Sequence, residues 1–348
     1  MKSYKGEYMK KYYLKVRGAE NNTASLKAKL DIEQILSKEG YDKLYDTESK
    51  GRKINLLIAA SRLMFESDAV IVTQYPFITP GERSVLNKVR KYNKNIKLVS
   101  IIHDVNSLRD LGHNTLDKIE EIKFMNENDC IISHNEYMTK WFKNNGVTTK
   151  IVNIEIFDYL SEHIEKNTYM SNFKSVYFAG NLDENKSKFI YLDEIKKLGF
   201  TFKLYGPNFN VKSNTKNLIY EGCFSPEELV YKFESGFGLI WDGTSIDECD
   251  GINGEYLKYN NPHKTSLYLS SGLPVIIWSK AAMADFICKN KVGVKVNSLT
   301  EIENILKNMT LEEYKLLKKN AEKLQQQLLN GEFTINAINK SIQMLKEE

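Results

Sequence analysis

Only four cysteines occur in 348 residues, and Cys130, Cys223, Cys249 and Cys288 show neither CxxC nor zinc-ligand spacing. Their scatter, three of them in apolar or strand-like surroundings, excludes a disulfide framework and fits a reduced, cytoplasmic setting. Proline is limited to six residues, and neither a low-complexity tract nor a repeat of fixed period is present, which disfavours solenoids and arrays. No apolar run approaches the roughly 20 residues of a membrane-spanning helix, and the first residues lack the apolar core of a secretory signal. The expectation is a protein that stays where it is made. Charge of one sign is also lacking: 49 basic and 45 acidic residues leave +4, too little and too dispersed for nucleic acid. Lys2, Lys5, Lys10, Lys11, Lys15 and Arg17 make the start locally basic, read either as solvated lysines or as peripheral contact with the inner face of the membrane. A GxGxxG fingerprint after a strand is missing as well, which argues against a dinucleotide-dependent epimerase or dehydrogenase.

What is present is a globular composition, 42% hydrophobic and 27% charged, on a chain long enough for two cores. A short strand at 11–17, a turn at 18–22 and a helix capped by Thr23 open the chain, and Ile54, Leu57, Ile58 and Phe65 mark a further amphipathic helix. Short β-branched runs at 69–72, 98–102 and 130–132 are separated by helical stretches, as in a parallel sheet covered on both faces. The pattern lapses into polar, mixed sequence near 156–174, a candidate hinge, and restarts with strands at 175–178, 202–205, 238–241 and 274–278. Leu317, Ala321, Leu324 and Leu328 keep helical spacing, as do Ile335, Ile338, Ile342 and Leu345 after a break at Gly331. The pattern predicts an α/β protein of two doubly wound domains, an acceptor domain over 1–158 and a second over 170–325, with a helix in 326–348 packing back on the first.

Ligands of open α/β sheets lie beyond the carboxyl ends of the strands, so the residues after each strand are the candidates. In the first domain these are Asn21, Asn22 and Thr23 at the opening turn, Tyr75 within the Gln74–Phe77 corner, His103 with Asp104, and His134 with Asn135 and Glu136. In the second they are Gly180 with Asn181, Tyr205 with Gly206, Asp242 with Gly243, and the long stretch 254–286. Two polar rims facing one cleft suggest a donor on one side and an acceptor on the other. Within the long stretch, Asn260 and Asn261 are helix N-caps, Pro262 suits the first helical position, and Gly272 stops the helix before a buried strand. His263 and Lys264 then fall in the first turn, where a cation opposes the helix dipole unless an anion sits there; plain capping with Lys264 in water is the alternative.

Three segments, FAGNL at 178–182, GLIWDG at 238–243 and GEYLKYNNPHKTSLYLSSGLPVIIW from 254, resemble the bacterial galactofuranosyltransferases and the related glucosyltransferases of streptococcal surface-glycoprotein assembly. The long segment is the specific one, and the resemblance runs over nearly the whole chain. It implies a GT-B architecture, two Rossmann-like domains, a UDP-sugar donor held by the second, and transfer without a metal or other cofactor to a glycan or glycolipid acceptor. Carried over by residue, the diphosphate lies on the helix opened by Asn261 and Pro262 with Lys264 as charge partner and His263 beside it, while Tyr259 and Asn260 line the pocket. Gly180 and Asn181 admit the diphosphate to the backbone, Lys186 either reaches the same oxygens or stays in water, Tyr205 and Gly206 shelter the uracil, and Asp242 lies close by. One departure stands out: where many retaining GT-B enzymes carry a second Glu, this chain has Leu267.

That departure points to inversion, which needs a base for the acceptor hydroxyl. Asp104, with His103 beside it, is the first candidate; the same aspartate is equally suited to capping the helix that contains Leu108. His134 and Glu136 are the second choice, whereas His113 and His163 lie in polar surroundings without partners. The acidic string 247–250 has no histidine partners and reads as a mobile loop near the donor sugar rather than a metal site. The functional expectation is a hexosyltransferase, galactofuranose before glucose, in surface polysaccharide or glycoconjugate assembly. A non-catalytic subunit of the same fold is the remaining class, and self-association is left open.

Overall fold

A computed structural model describes residues 9–16, 24–109, 115–162, 173–213 and 215–347. The opening turn with Asn21, Asn22 and Thr23, together with His113 and His163, lies outside them. Strands β1 (Lys10–Tyr13), β2 (Asp42–Lys43), β3 (Ala69–Tyr75), β4 (Ile96–Ile102), β5 (Cys130–Ser133) and β6 (Lys150–Asn153) pair in parallel in the order β2-β1-β3-β4-β5-β6. A second parallel sheet holds β7 (Ser175–Ala179), β8 (Thr201–Tyr205), β9 (Leu218–Gly222), β10 (Phe237–Ile240), β11 (Val275–Trp278) and β12 (Gly293–Val296), ordered β12-β11-β10-β7-β8-β9. The winding direction reverses between β1 and β3 in the first sheet and between β7 and β10 in the second. Such a reversal opens a crevice at the carboxyl ends of the strands.

Alternation along each strand sends side chains to opposite faces, so both faces need cover. In the first sheet Val70, Val72, Val99 and Ile101 pack with the helix Ala24–Lys38 and with Ala337, Ile338 and Leu345 of the last helix, Glu332–Lys346. On the other face Ile71, Ile96 and Leu98 meet Leu56, Ala59, Ala60 and Leu63 of the helix Arg52–Met64 and Leu86 and Val89 of the helix Pro80–Tyr92. The Arg52–Met64 helix thus forms where its sequence predicts one but buries a different stripe. Ile54, Leu57, Ile58 and Phe65 are 64%, 60%, 63% and 83% exposed. Two stripes on this helix have i, i+3, i+4 spacing, and the one containing Ala59 and Ala60 lets the helix lie closer to the sheet.

The candidate hinge is in part a buried strap. Ile156 and Tyr159 join the core of the second sheet, while Ile154 and Phe157 join that of the first. Asp158 between them accepts from the backbone N–H groups of Phe333 (3.3 Å) and Thr334 (2.6 Å), anchoring the start of the last helix. The helix before it, Leu311–Asn330, belongs to the second core through Tyr314, Ala321, Leu324 and Leu328, and it ends at Gly331 in the left-handed region (φ 75°). Among the described residues no helix is long and apolar enough to cross a membrane.

Candidate functional site at the crevice between the sheets

The crevice of the second sheet is bounded by the loops after β7 and β10 and by the helix His263–Ser270. That helix starts one residue later than predicted, with Pro262 as its cap residue and no side-chain cap. Thr265 N donates to the Pro262 carbonyl (2.9 Å), which leaves the N–H groups of His263 and Lys264 to solvent or a ligand. Lys264 donates to the carboxylate of Asp242 (2.9 Å) and to the carbonyl of Trp241 (3.0 Å), and lies 4.5 Å above the ring of Phe178. The chain thus supplies the anion that a cation in this turn requires. Gly180 has only the ring of Phe178 within 4 Å of where a Cβ would stand, so packing alone does not require a glycine here. Gly206 is required: its φ is +135°, and a Cβ would come within 1.8 Å of the Gly180 carbonyl oxygen. Asn181 Oδ1 is committed to Asp183 N (3.0 Å) and Asn208 Nδ2 (2.9 Å), which folds the loop. Lys186 is exposed, and its charge is felt at Asp104 on the other rim.

Several expected donor residues serve other ends. Tyr205 is buried among Tyr177, Phe224 and Phe233, so its ring is core rather than a rest for a base. Tyr259 packs against the first domain, and its carbonyl accepts from Asn135 Nδ2 (2.9 Å). Asn261 does not cap the helix. Its Nδ2 donates to the carbonyls of His134 (2.7 Å) and Glu155 (3.0 Å), and its Oδ1 accepts from Asn135 Nδ2 (2.7 Å). Every polar atom of that amide is spent on joining the halves, leaving none for a diphosphate. Asn260 Oδ1 is buried with no partner among the described residues. The acidic loop is held rather than loose: Asp250 accepts from the backbone and hydroxyl of Thr244, Cys249 is buried, and the Ile246 carbonyl accepts from Leu299 N (2.8 Å). Among the described residues no group of three or more His, Cys, Asp or Glu could hold a metal ion.

The histidines also turn inward. His134 accepts at Nδ1 from Asn261 N (2.9 Å) and its Nε2 faces the Ile102 carbonyl (3.0 Å), which fixes a neutral ring protonated at Nε2. It is a strut, not an acceptor contact, and burial pushes its pKa down to about 3. His103 Nε2 lies 2.7 Å from Gln74 Oε1, the ring stacks on Phe157 at 5.5 Å, and Nδ1 is buried with no partner among the described residues. His263 packs on Phe157 as well (4.7 Å), its ring 6.4 Å from that of His103, and burial pushes its pKa down to about 4. Tyr75 gives its hydroxyl to Glu121 (2.7 Å) and is not free for an acceptor.

Glu136 is exposed and accepts from Asn153 Nδ2, whereas Asp104 keeps a reactive aspect at the crevice. The helix Asn106–Arg109 is capped not by it but by Glu121, which accepts from Asn106 N (2.8 Å) and Ser107 N (2.9 Å). Asp104 instead accepts from Tyr256 Oη (3.3 Å) and pairs with Arg109 (3.4 Å), its side chain 30% exposed. Tyr256 belongs to the second half and accepts from Val105 N (3.2 Å), so the second half positions the carboxylate. Burial raises the pKa of Asp104, with Arg109, the Tyr256 hydroxyl, Lys29 and Lys186 opposing. That combination suits a base that must be deprotonated yet willing to take a proton. Tyr256 and Arg109 were not among the sequence candidates; a tyrosine in the mixed stretch GEYLKY and an arginine in a short helix carry no spacing signal. A polar hollow of about 640 Å³ lined by Lys10, Tyr12, Asp42, Lys43, Arg62 and Glu66 lies at the β2 edge and shares no residue with this crevice.

Residues 10–156 match the N-terminal domain described as glucosyltransferase 3-like, and residues 176–341 match the C-terminal domain of the same description. The chain is 34% identical over 343 residues to the beta-1,6-galactofuranosyltransferase WbbI of Escherichia coli (strain K12), across 96% of this chain and 99% of that protein. It is 27% identical over 323 residues to glucosyltransferase 3 of Streptococcus gordonii, across 91% and 90%. Sucrose-phosphate synthase from Thermosynechococcus elongatus superposes with a TM-score of 0.54 at 14% identity, over 80% of this chain and 74% of that one, a likeness of fold alone.

Proposed function

Because the chain belongs to the glucosyltransferase 3-like family, and is a hexosyltransferase of GT-B architecture, we propose that it moves galactofuranose from its UDP-sugar to a glycan acceptor in surface polysaccharide or glycoconjugate assembly. The observation that carries the reading is the Lys264–Asp242 pair under an uncapped helix N-terminus, with Asp104 on the opposite rim. In this reading the diphosphate lies on the N–H groups of His263 and Lys264 at the start of the helix His263–Ser270, and Lys264 exchanges part of its contact with Asp242 for phosphate oxygen. The charge that develops on the departing UDP is met by Lys264, Lys186 and the helix dipole without a divalent ion.

Asp104 takes the proton of the acceptor hydroxyl as that oxygen attacks the anomeric carbon from the face opposite UDP. Configuration inverts. Leu267, which is buried, offers no carboxylate to a retaining route. The name of the 34% identical relative gives that enzyme a beta-1,6 linkage, which inversion at an α-linked UDP-sugar would produce. UDP-glucose is the second reading, favoured by the family description and the streptococcal relative. Incubation with UDP-galactofuranose and with UDP-glucose separately, in chelator, followed by NMR of the product's anomeric proton, tests donor, metal and stereochemistry together. An α-linked product overturns inversion, preference for UDP-glucose overturns the galactofuranose assignment, and activity only after a divalent ion is restored overturns the metal-free route.

A further inference from the structure

The outward stripe of the helix Arg52–Met64 is a built surface feature. Ile54, Leu57, Ile58 and Phe65 lie on one side of it at helical spacing, each at least 60% exposed. Asn93 donates to the carbonyls of Leu63 (2.9 Å) and Glu66 (2.8 Å), which brings Tyr92, itself 68% exposed, to the same corner as Phe65. Single exposed apolar residues are ordinary, whereas a contiguous row along a helix roughly 20 Å long marks a surface that meets something. The row is apolar, and the charges of the helix itself are of one sign, although Asp46 and Glu48 precede it and Glu66 follows it. The helix carries Arg52, Lys53 and Arg62 and no acidic residue, with Lys50 just before it. Lys50, Arg52 and Lys53 are exposed and have no ion-pair partner among the described residues.

That charge pattern selects the occupant. A second copy paired about a two-fold axis would bring the arginines and lysines of both helices together, and like charges across an interface repel. An anionic lipid surface satisfies both halves of the pattern, with acyl chains taking the apolar row and headgroups the cations. We propose that this helix face docks the protein on an anionic bilayer. A helix that connects parallel strands begins at their carboxyl ends, so its Arg52 end lies on the rim that carries Asp104. Docking along the helix therefore holds the mouth of the crevice beside the membrane. This moves the membrane contact from the basic residues at the start of the chain to a folded surface, and it does not depend on which sugar is transferred.

The test is co-sedimentation of the full chain with vesicles of phosphatidylcholine alone and of phosphatidylcholine with phosphatidylglycerol, at low and at raised salt. Binding is expected only with phosphatidylglycerol present, weakening as salt rises. Leu57→Gln with Ile58→Gln is expected to lower vesicle affinity at least about tenfold by removing inserted apolar surface. Arg52→Glu with Lys53→Glu provides an independent arm, expected to lose about fivefold for each cation removed and more for the reversed sign. All four positions are exposed, so UDP affinity and transfer to a water-soluble glycoside should stay within about twofold in both variants. Protein left in the supernatant with anionic vesicles overturns the proposal, as does binding that neither pair of substitutions weakens. A dimer that dissociates in the Leu57→Gln, Ile58→Gln variant would assign the face to a second copy instead. Vesicle binding by a chain that transfers no sugar would keep this surface and sink the proposed function, so the two can fail separately.

Discussion

The two carboxyl rims that face each other across the crevice have the same topology and opposite fates. After β5 His134 is buried and spent on holding the halves together, and after β4 His103 is buried against Gln74 of its own sheet, while Asp104 keeps access. After β7 and β10 the rim stays open, with Gly180 unobstructed and Lys264 and Asp242 paired under an uncapped helix. A polar residue after a strand is therefore not in itself a ligand contact. It becomes one only where the neighbouring half leaves it unsatisfied, because a buried polar group that lacks a ligand must find a partner in the protein.

The comparison can be broken at its most exposed point. Asp104→Asn is expected to lower the transfer rate roughly 10²- to 10⁴-fold while UDP affinity, set by the other rim, stays nearly unchanged. Turnover close to that of the parent would return Asp104 to a purely structural place beside Tyr256 and Arg109. On the donor rim, Lys264→Ala should weaken UDP binding by about 1.5 to 3 kcal/mol, read by calorimetry in chelator. Asp242→Asn sharpens the point: if Asp242 competes with phosphate for Lys264, neutralising it leaves UDP affinity equal or higher, and a clear fall would make Asp242 itself a ligand contact.

Asn261→Ala probes the closed rim. It leaves the carbonyls of His134 and Glu155 without their donor, at a cost of about 1 to 3 kcal/mol in unfolding free energy, with UDP affinity changing less than in Lys264→Ala. An effect on UDP as large as that of Lys264 would restore Asn261 to the donor pocket. The smallest effect is one of pH. His134 is held down to about 3 from an ordinary 6.5, so its contribution to stability is full above pH 6.5 and is lost as pH falls toward 3, at about 1.4 kcal/mol per unit for one group. Asp158 runs the other way: burial raises it to about 7 from 3.8, so ionising it costs stability as pH rises through that interval. Asp158→Asn removes the opposing group, and unfolding free energy should then climb more steeply between about pH 4 and 6.5. An unchanged slope in urea titrations would deny one of the two assignments.

The central strands could be read in the sequence because burial on both faces leaves unbroken apolar runs, as in Ala69–Tyr75 and Val275–Trp278. The four strands that were missed, β2, β6, β9 and β12, are the four sheet edges. Their sequences DK, KIVN, LIYEG and GVKV are short and mixed, since an edge needs little apolar cover, and lysine blunts three of the four. The stripe of Ile54, Leu57 and Ile58 was legible as a helix but not as its outer face, since periodicity fixes the spacing of a stripe and not the side the sheet will take. At the site, the donor helix was located within one residue and Lys264 with it. The fates of Asn261, Tyr259, Tyr205 and His134 were not legible, because each depends on a partner more than twenty residues away.

The last helix carries a consequence for synthesis. Glu332–Lys346 completes the core of the first sheet, yet it leaves the ribosome only after the whole second half has been made. The second half, whose core closes with the helix ending at Asn330, has all its pieces first. Until then Val72, Val99 and Ile132 of the earlier half have only the helix Ala24–Lys38 for cover on that face, a period in which a nascent chain would draw on a chaperone. The order in which the halves mature is thus the reverse of the order in which they are translated.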